Sequence, residues 1–165
     1  MARLRRRRFS ASGAGEFGVR LAPAERELLA TLPDQLAALV DEGRSPVTTR
    51  LFPPAYATNE ELNAEYQELM GDELVRRRRE AADLVRDTIT RDRLTESELN
   101  AWVGVFNDFR LVLGTILDVS EDSDVLDVDP RAEDLPLRIA YAVLSEIVFD
   151  AVQALVGALP PPTRE

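Results

Sequence analysis

The chain has 165 residues and a net charge of −10, from 30 acidic and 20 basic side chains, and it contains no cysteine and no histidine. Those absences remove disulfides, thiolate metal sites and thiol redox chemistry, together with the commonest general base and transition-metal ligand. The acid excess argues against a dedicated duplex-DNA binder, because affinity for DNA comes mainly from neutralising phosphates.

The length suits one domain, and with 45% apolar residues a sizeable core needs no covalent staple. Every basic residue is an arginine, and charge is unevenly spread: residues 1–20 carry six arginines against one glutamate, whereas residues 118–134 carry eight acids against one arginine. Such polarity suits an electrostatically steered protein partner. No apolar stretch of about 18 residues is free of charge, so no membrane span is expected. The N-terminal arginine run is followed by neither an apolar segment nor a cleavage site, which predicts a cytoplasmic protein.

Residues 1–22 read as a basic arm or a β-hairpin packed on the domain. Ser10 to Gly15 is a turn-rich break, and Phe17, Val19 and Leu21 alternate with smaller or polar residues as in a half-buried strand. Residues 23–159 form the helical domain. Pro23 opens a helix whose apolar phase runs from Leu28 to Val40 and stops at Gly43. Pro33 lies inside it, which predicts a kink or two collinear pieces. Residues 44–58 are a loop, with Leu51, Phe52 and Tyr56 expected to pin it to the core. A helix capped by Thr58 or Asn59 should run to Met70 and end at Gly71, with a second from Asp72 to about Arg91.

Thr95 and Glu98 make a capping box for a helix that is apolar nearly all round and therefore central. Gly104 and Gly114 within it each predict close approach of a neighbour. The acidic stretch 118–134 is a loop. Pro136 opens the last helix, to about Leu159, whose apolar face is so wide that it is either sandwiched in the core or meets another chain. A homodimer is a corollary. Residues 160–165 read as a disordered tail. The fold class is mainly α: a single-domain bundle of four to five helices with a small N-terminal β-hairpin.

Catalytic and cofactor motifs are missing. No P-loop, Gly-x-Gly-x-x-Gly, Gly-x-Ser-x-Gly or Ser-x-x-Lys pattern occurs, and the acids between Asp118 and Asp129 lack calcium-loop spacing. No enzyme, cofactor or metal is expected. Glu146 and Asp150, four apart on one helix, could serve as an acid/base pair only if buried together. Four consecutive arginines, Arg76 to Arg79, span roughly 300° of a helix, so they cannot all face water. Arg78 falls in the apolar stripe and needs a carboxylate partner, with Asp108, Glu146 and Asp150 as candidates. Arg110 poses the same problem beside Asn107 and Asp108.

The segments Arg50-Leu51-Phe52-Pro53-Pro54-Ala55-Tyr56 and Asn107-Asp108-Phe109-Arg110-Leu111-Val112-Leu113-Gly114-Thr115 resemble the two signature stretches of an actinobacterial domain-of-unknown-function family. Its members are often encoded beside the Clp adaptor ClpS, and some bear the name oxidative-stress regulator AosR. The resemblance implies a regulator working through protein–protein contact, in transcriptional control under oxidative stress, with a sigma factor, RNA polymerase or a Clp component as partner. Lacking cysteine, this chain cannot sense oxidants through a thiol. Motif position and helix phase together make Arg50, Tyr56, Arg78, Asn107, Asp108 and Arg110 the candidate interaction or structural polar residues. Two alternatives remain open at this point: direct DNA binding through Arg3 to Arg8 or Arg76 to Arg79, and a carboxylate-based enzyme or small-ligand binder using Asp108, Glu146 or Asp150.

Overall fold

The computed structural model of the chain describes residues 7–53, 55, 58–120, 125 and 129–159. Tyr56, Arg3 to Arg6, residues 121–124 and 126–128 of the acidic stretch, and the 160–165 tail lie outside the described residues.

Strands β1 (Phe9–Ala11) and β2 (Glu16–Val19) form the expected hairpin, pairing Phe9 with Val19 and Ala11 with Phe17. The turn between them holds Gly13, Ala14 and Gly15 all at positive φ, which two glycines make inexpensive. A third strand, β3 (Arg93–Thr95), joins the sheet antiparallel to β2, setting Phe17 opposite Leu94. Phe9, Phe17, Val19 and Leu94 turn inward and are buried. An isolated hairpin is marginal, and β3 and the helices beneath supply the missing support.

Helix α1 (Pro23–Asp41) runs unbroken through Pro33, which is itself buried. Helix α2 (Glu60–Thr88) is a single element, capped by Asn59. The break predicted at Gly71 is absent. Gly71 does not adopt positive φ, and carrying a helix across one glycine costs about 1 kcal/mol, less than nucleating a second helix. The N-terminal half of α2 also projects from the core, leaving Leu62 and Leu69 exposed.

Helix α3 (Glu96–Ile116) starts at the Thr95–Glu98 capping box and packs on all three other helices and on β2 and β3. Its single indole, Trp102, is fully buried between the edges of Phe9 and Phe106. Gly114 does permit a close approach, whereas Gly104 faces open space. The sequence signal is the same for both, because local spacing does not say which face meets a neighbour.

Helix α4 (Leu135–Gly157) lies at the edge of the bundle against α3 and β1. It is not sandwiched. Leu144, Ile147 and Ala151 are buried, but Ile139, Phe149, Val156 and Leu159 are 49%, 61%, 56% and 65% exposed. By length and composition alone α4 is long and apolar enough to cross a membrane, although Arg138, Glu146 and Asp150 leave it without the charge-free stretch of about 18 residues that the sequence also lacks. In this structure it is a domain helix, with one face buried on α3 and two carboxylates, Glu146 and Asp150, bound to Arg8. The architecture is mainly α with a small antiparallel sheet.

Candidate functional site

The two signature segments meet around α3, and their polar residues fall into two clusters on different faces of it: Asp108 with Arg78 of α2 in the first, Arg50 and Arg110 in the second. The first joins α2, α3 and the loop before α2. A 3-10 turn (Thr49–Leu51) buries Leu51 and Phe52, and Thr48 holds the loop shut through its hydroxyl, which donates to the Gly43 carbonyl at 2.8 Å. Arg78 Nε donates to Asp108 Oδ2 at 2.9 Å, its Nη2 donates to the Leu51 carbonyl at 2.8 Å, and its guanidinium lies 5.3 Å from the Phe52 ring centroid. Of the three partners predicted for Arg78, only Asp108 is used. Burial pushes the Asp108 carboxyl above its ordinary value, and the charge and hydrogen bond of Arg78 offset only part of that.

The second cluster joins the same loop to α3 and α4. Arg50 Nη1 lies 3.1 Å, and a Tyr141 ring carbon 3.3 Å, from where a Cβ on Gly114 would stand. Asp118, at positive φ, closes the end of α3, and Val119 N donates to the Gly114 carbonyl at 2.9 Å. That closure places the Val119 carbonyl 3.4 Å from Arg50 Nη2. One turn before Gly114, Arg110 donates from Nε and Nη2 to Asn107 Oδ1 at 3.3 and 2.9 Å, with its guanidinium 5.9 Å from the Tyr141 ring centroid. Arg110 and Asp108 are therefore not one network: two positions along a helix are roughly 160° apart.

Arg8 is a junction the sequence does not reveal. It reaches Glu25 on α1 at 2.7 Å and, on α4, Asp150 at 2.6 Å and Glu146 at 3.2 Å. Burial works against its charge, yet hydrogen bonds to Glu25 and Asp150 more than offset this and raise its pKa above the ordinary value. Its partners lie 17 to 142 residues away, so no local pattern could find them. Asp108 thus sits with Arg78 while Glu146 and Asp150 sit with Arg8, and the three carboxylates do not converge. Tyr141 was likewise missed; only its place on α4 next to Gly114 marks it.

The remaining arginines of the cluster on α2 are also engaged. Arg76 pairs with Glu73 and Glu80, Arg77 with Glu73, and Arg79 with Asp41 on α1. Hydrogen bonds from Arg76 and Arg77 hold the Glu73 carboxyl below its usual value. A cleft of about 870 Å³ opens over the sheet, lined by Arg8, Arg20, Glu25, Arg26 and Asp92, and a second of about 440 Å³ lies between Phe9 and the Phe149 face of α4. Neither contains Asp108, Arg50 or Arg110.

Fold and site together define a small helical domain whose polar groups are arginine-centred junctions between elements. The chain belongs to the family described as Domain of unknown function (DUF2017), which matches residues 6–158. It is similar to the putative oxidative stress regulator AosR of Mycobacterium leprae (strain TN), 39% identical over 74 residues, covering 42% of this chain and 34% of that protein. The oxidative stress regulators AosR of Mycobacterium tuberculosis (strain ATCC 25618 / H37Rv) and Mycobacterium bovis (strain ATCC BAA-935 / AF2122/97) are each 38% identical over 71 residues, covering 41% of this chain and 33% of theirs. The matched stretch spans about a third of the length of these relatives. Their names are consistent with a regulatory role. No solved structure matches the chain.

Proposed function

We propose that this chain is a non-enzymatic, cytoplasmic regulator or adaptor that works by contact with another protein, in transcriptional control of the oxidative-stress response. The observation that carries this is the outer face of α4, where Ile139, Phe149 and Val156 stand in solvent beside a fully formed core. Exposed apolar side chains grouped on one element mark an interaction surface. The relatives' names support the regulatory context, and the separation of Asp108 from Glu146 and Asp150 weighs against the carboxylate-enzyme reading. With no cysteine, this chain brings no thiol switch of its own to the contact.

The partner is a sigma factor, RNA polymerase or a Clp component, and a second copy of this chain is the competing occupant of the same face. Direct DNA binding is the second reading. Carboxylates already hold Arg8 and Arg76 to Arg79, which leaves little free positive charge there for phosphate.

The test is an affinity capture from an actinobacterial lysate, with and without peroxide, using the wild type and Phe149→Asp. Recovery of one of the named partners, equal with and without peroxide and lost in the variant, supports the proposal. Recovery of none of them by a folded wild type overturns it. Duplex binding that weakens steeply with salt favours the DNA reading instead.

A further inference from the structure

Arg50 and Arg110 differ from most other arginines in the fold. Arg8, Arg26, Arg76 to Arg79, Arg86, Arg91, Arg93 and Arg138 each hold a carboxylate. Among the described residues, Arg50 and Arg110 have none within 4.0 Å: their partners are a backbone carbonyl and the Asn107 amide. In a chain of net charge −10, two such arginines, Arg50 against Gly114 and Arg110 one turn before it on α3, are notable.

We propose that Arg50, Arg110 and Tyr141 form a recognition site for the carboxylates of an acidic peptide segment on a protein partner. The inference rests on reading the chain as a protein-binding module.

The geometry is built on Gly114. Arg110 and Gly114 are four apart on α3 and so share a face. The missing side chain at Gly114 is what lets Arg50 and the Tyr141 ring close to 3.1 and 3.3 Å of one point. The Arg110 guanidinium, steered by Asn107, lies 5.9 Å from the centre of the Tyr141 ring, and Arg50, steered by the carbonyl of Val119, reaches the same glycine that the ring meets. Each guanidinium has five N–H donors, and these contacts use two on Arg110 and one on Arg50. The planar forks that remain match carboxylates, and each positive charge without a carboxylate partner gains from an anion beside it. Arg50 is exposed and Arg110 and Tyr141 are half-buried, so the site is open. Neither cleft reaches it, and a small ligand needs a concave site. An extended peptide does not. Leu137, one turn before Tyr141 on α4 and 40% exposed, offers an apolar contact beside the charges.

The experiment is a titration of the full chain with a fluorescein-labelled oligoglutamate peptide at low salt, followed by anisotropy and by the NMR signals of the arginine Nε–H groups. The overall negative charge of the chain suppresses indiscriminate binding of such a peptide. Saturable binding that shifts the Arg50 and Arg110 signals is expected. It should weaken by about tenfold or more in Arg50→Gln/Arg110→Gln. Gly114→Ala, which crowds Arg50 and Tyr141 without breaking the helix, should weaken it too. Arg76→Gln/Arg77→Gln should bind like the wild type, and circular dichroism checks that each variant is folded. The proposal is overturned by no binding to the wild type, by equal binding to the double glutamine variant, or by pyrophosphate moving the two signals when the peptide does not. Partner capture from lysate with no peptide binding removes this site alone, whereas peptide binding without any captured partner removes the partner reading alone.

Discussion

The Thr88 hydroxyl donates to the Leu84 carbonyl at 2.7 Å and accepts from Trp102 Nε1–H at 2.8 Å, in a part of the core where both side chains are wholly buried. Thr88→Val keeps the shape but strands the indole N–H, which should cost about 2 kcal/mol; urea unfolding followed by Trp102 fluorescence measures it, and an unchanged midpoint would contradict the assignment. Asp108 makes a pH prediction. Its pKa is raised in the fold, so the folded state holds its proton more tightly than the unfolded state, where the ordinary value is about 3.9. The stability it contributes is fully present below that value and is lost as pH rises through the folded pKa. Wild-type unfolding free energy relative to Asp108→Asn should therefore fall with rising pH across this window and then level off; a relative rise would mean that pairing with Arg78 outweighs burial. The sequence made Arg78 an arginine in search of a carboxylate, because its phase on α2 is apolar. It could not choose among Asp108, Glu146 and Asp150, since that choice depends on where α4 lies.

At the scale of elements, α3 is the most legible: a capping box, a periodic apolar pattern on several faces, and a helix found where both predict it. Helix α2 is the instructive difference. Gly71 reads as a stop, yet the helix passes through it with nothing within 4 Å of the missing Cβ. Gly71→Ala should therefore stabilise the protein by up to about 1 kcal/mol, read as a rise in urea midpoint; destabilisation would indicate a break there. Strand β3 was missed because three residues, one of them buried, carry no detectable alternation. It exists because β2 presents an unpaired edge to Arg93, Leu94 and Thr95 as the chain turns into α3.

At the scale of the whole molecule, Arg8 ties the hairpin to α1 and α4, so its loss acts on three elements at once. Arg8→Gln leaves Glu25, Glu146 and Asp150 facing one another and should cost about 2 kcal/mol, less than a fully buried pair because Glu146 reaches solvent. The deficit should shrink as acid neutralises those carboxylates, and a deficit constant from pH 7 to 4 would sink the idea.

What the sequence determined by itself is local: which segments are helical, where α3 is capped, that a hairpin turn follows Phe9, and that thiol and imidazole chemistry are absent. Hydrogen bonds and side-chain phase within a few residues decide those features. Only the tertiary structure decided which carboxylate each interior arginine meets, that Gly114 rather than Gly104 is the close approach, and that α4 shows much of its apolar face to solvent. Each of these depends on contacts between residues far apart in the chain, and an apolar stripe looks the same in sequence whether core or water lies beside it.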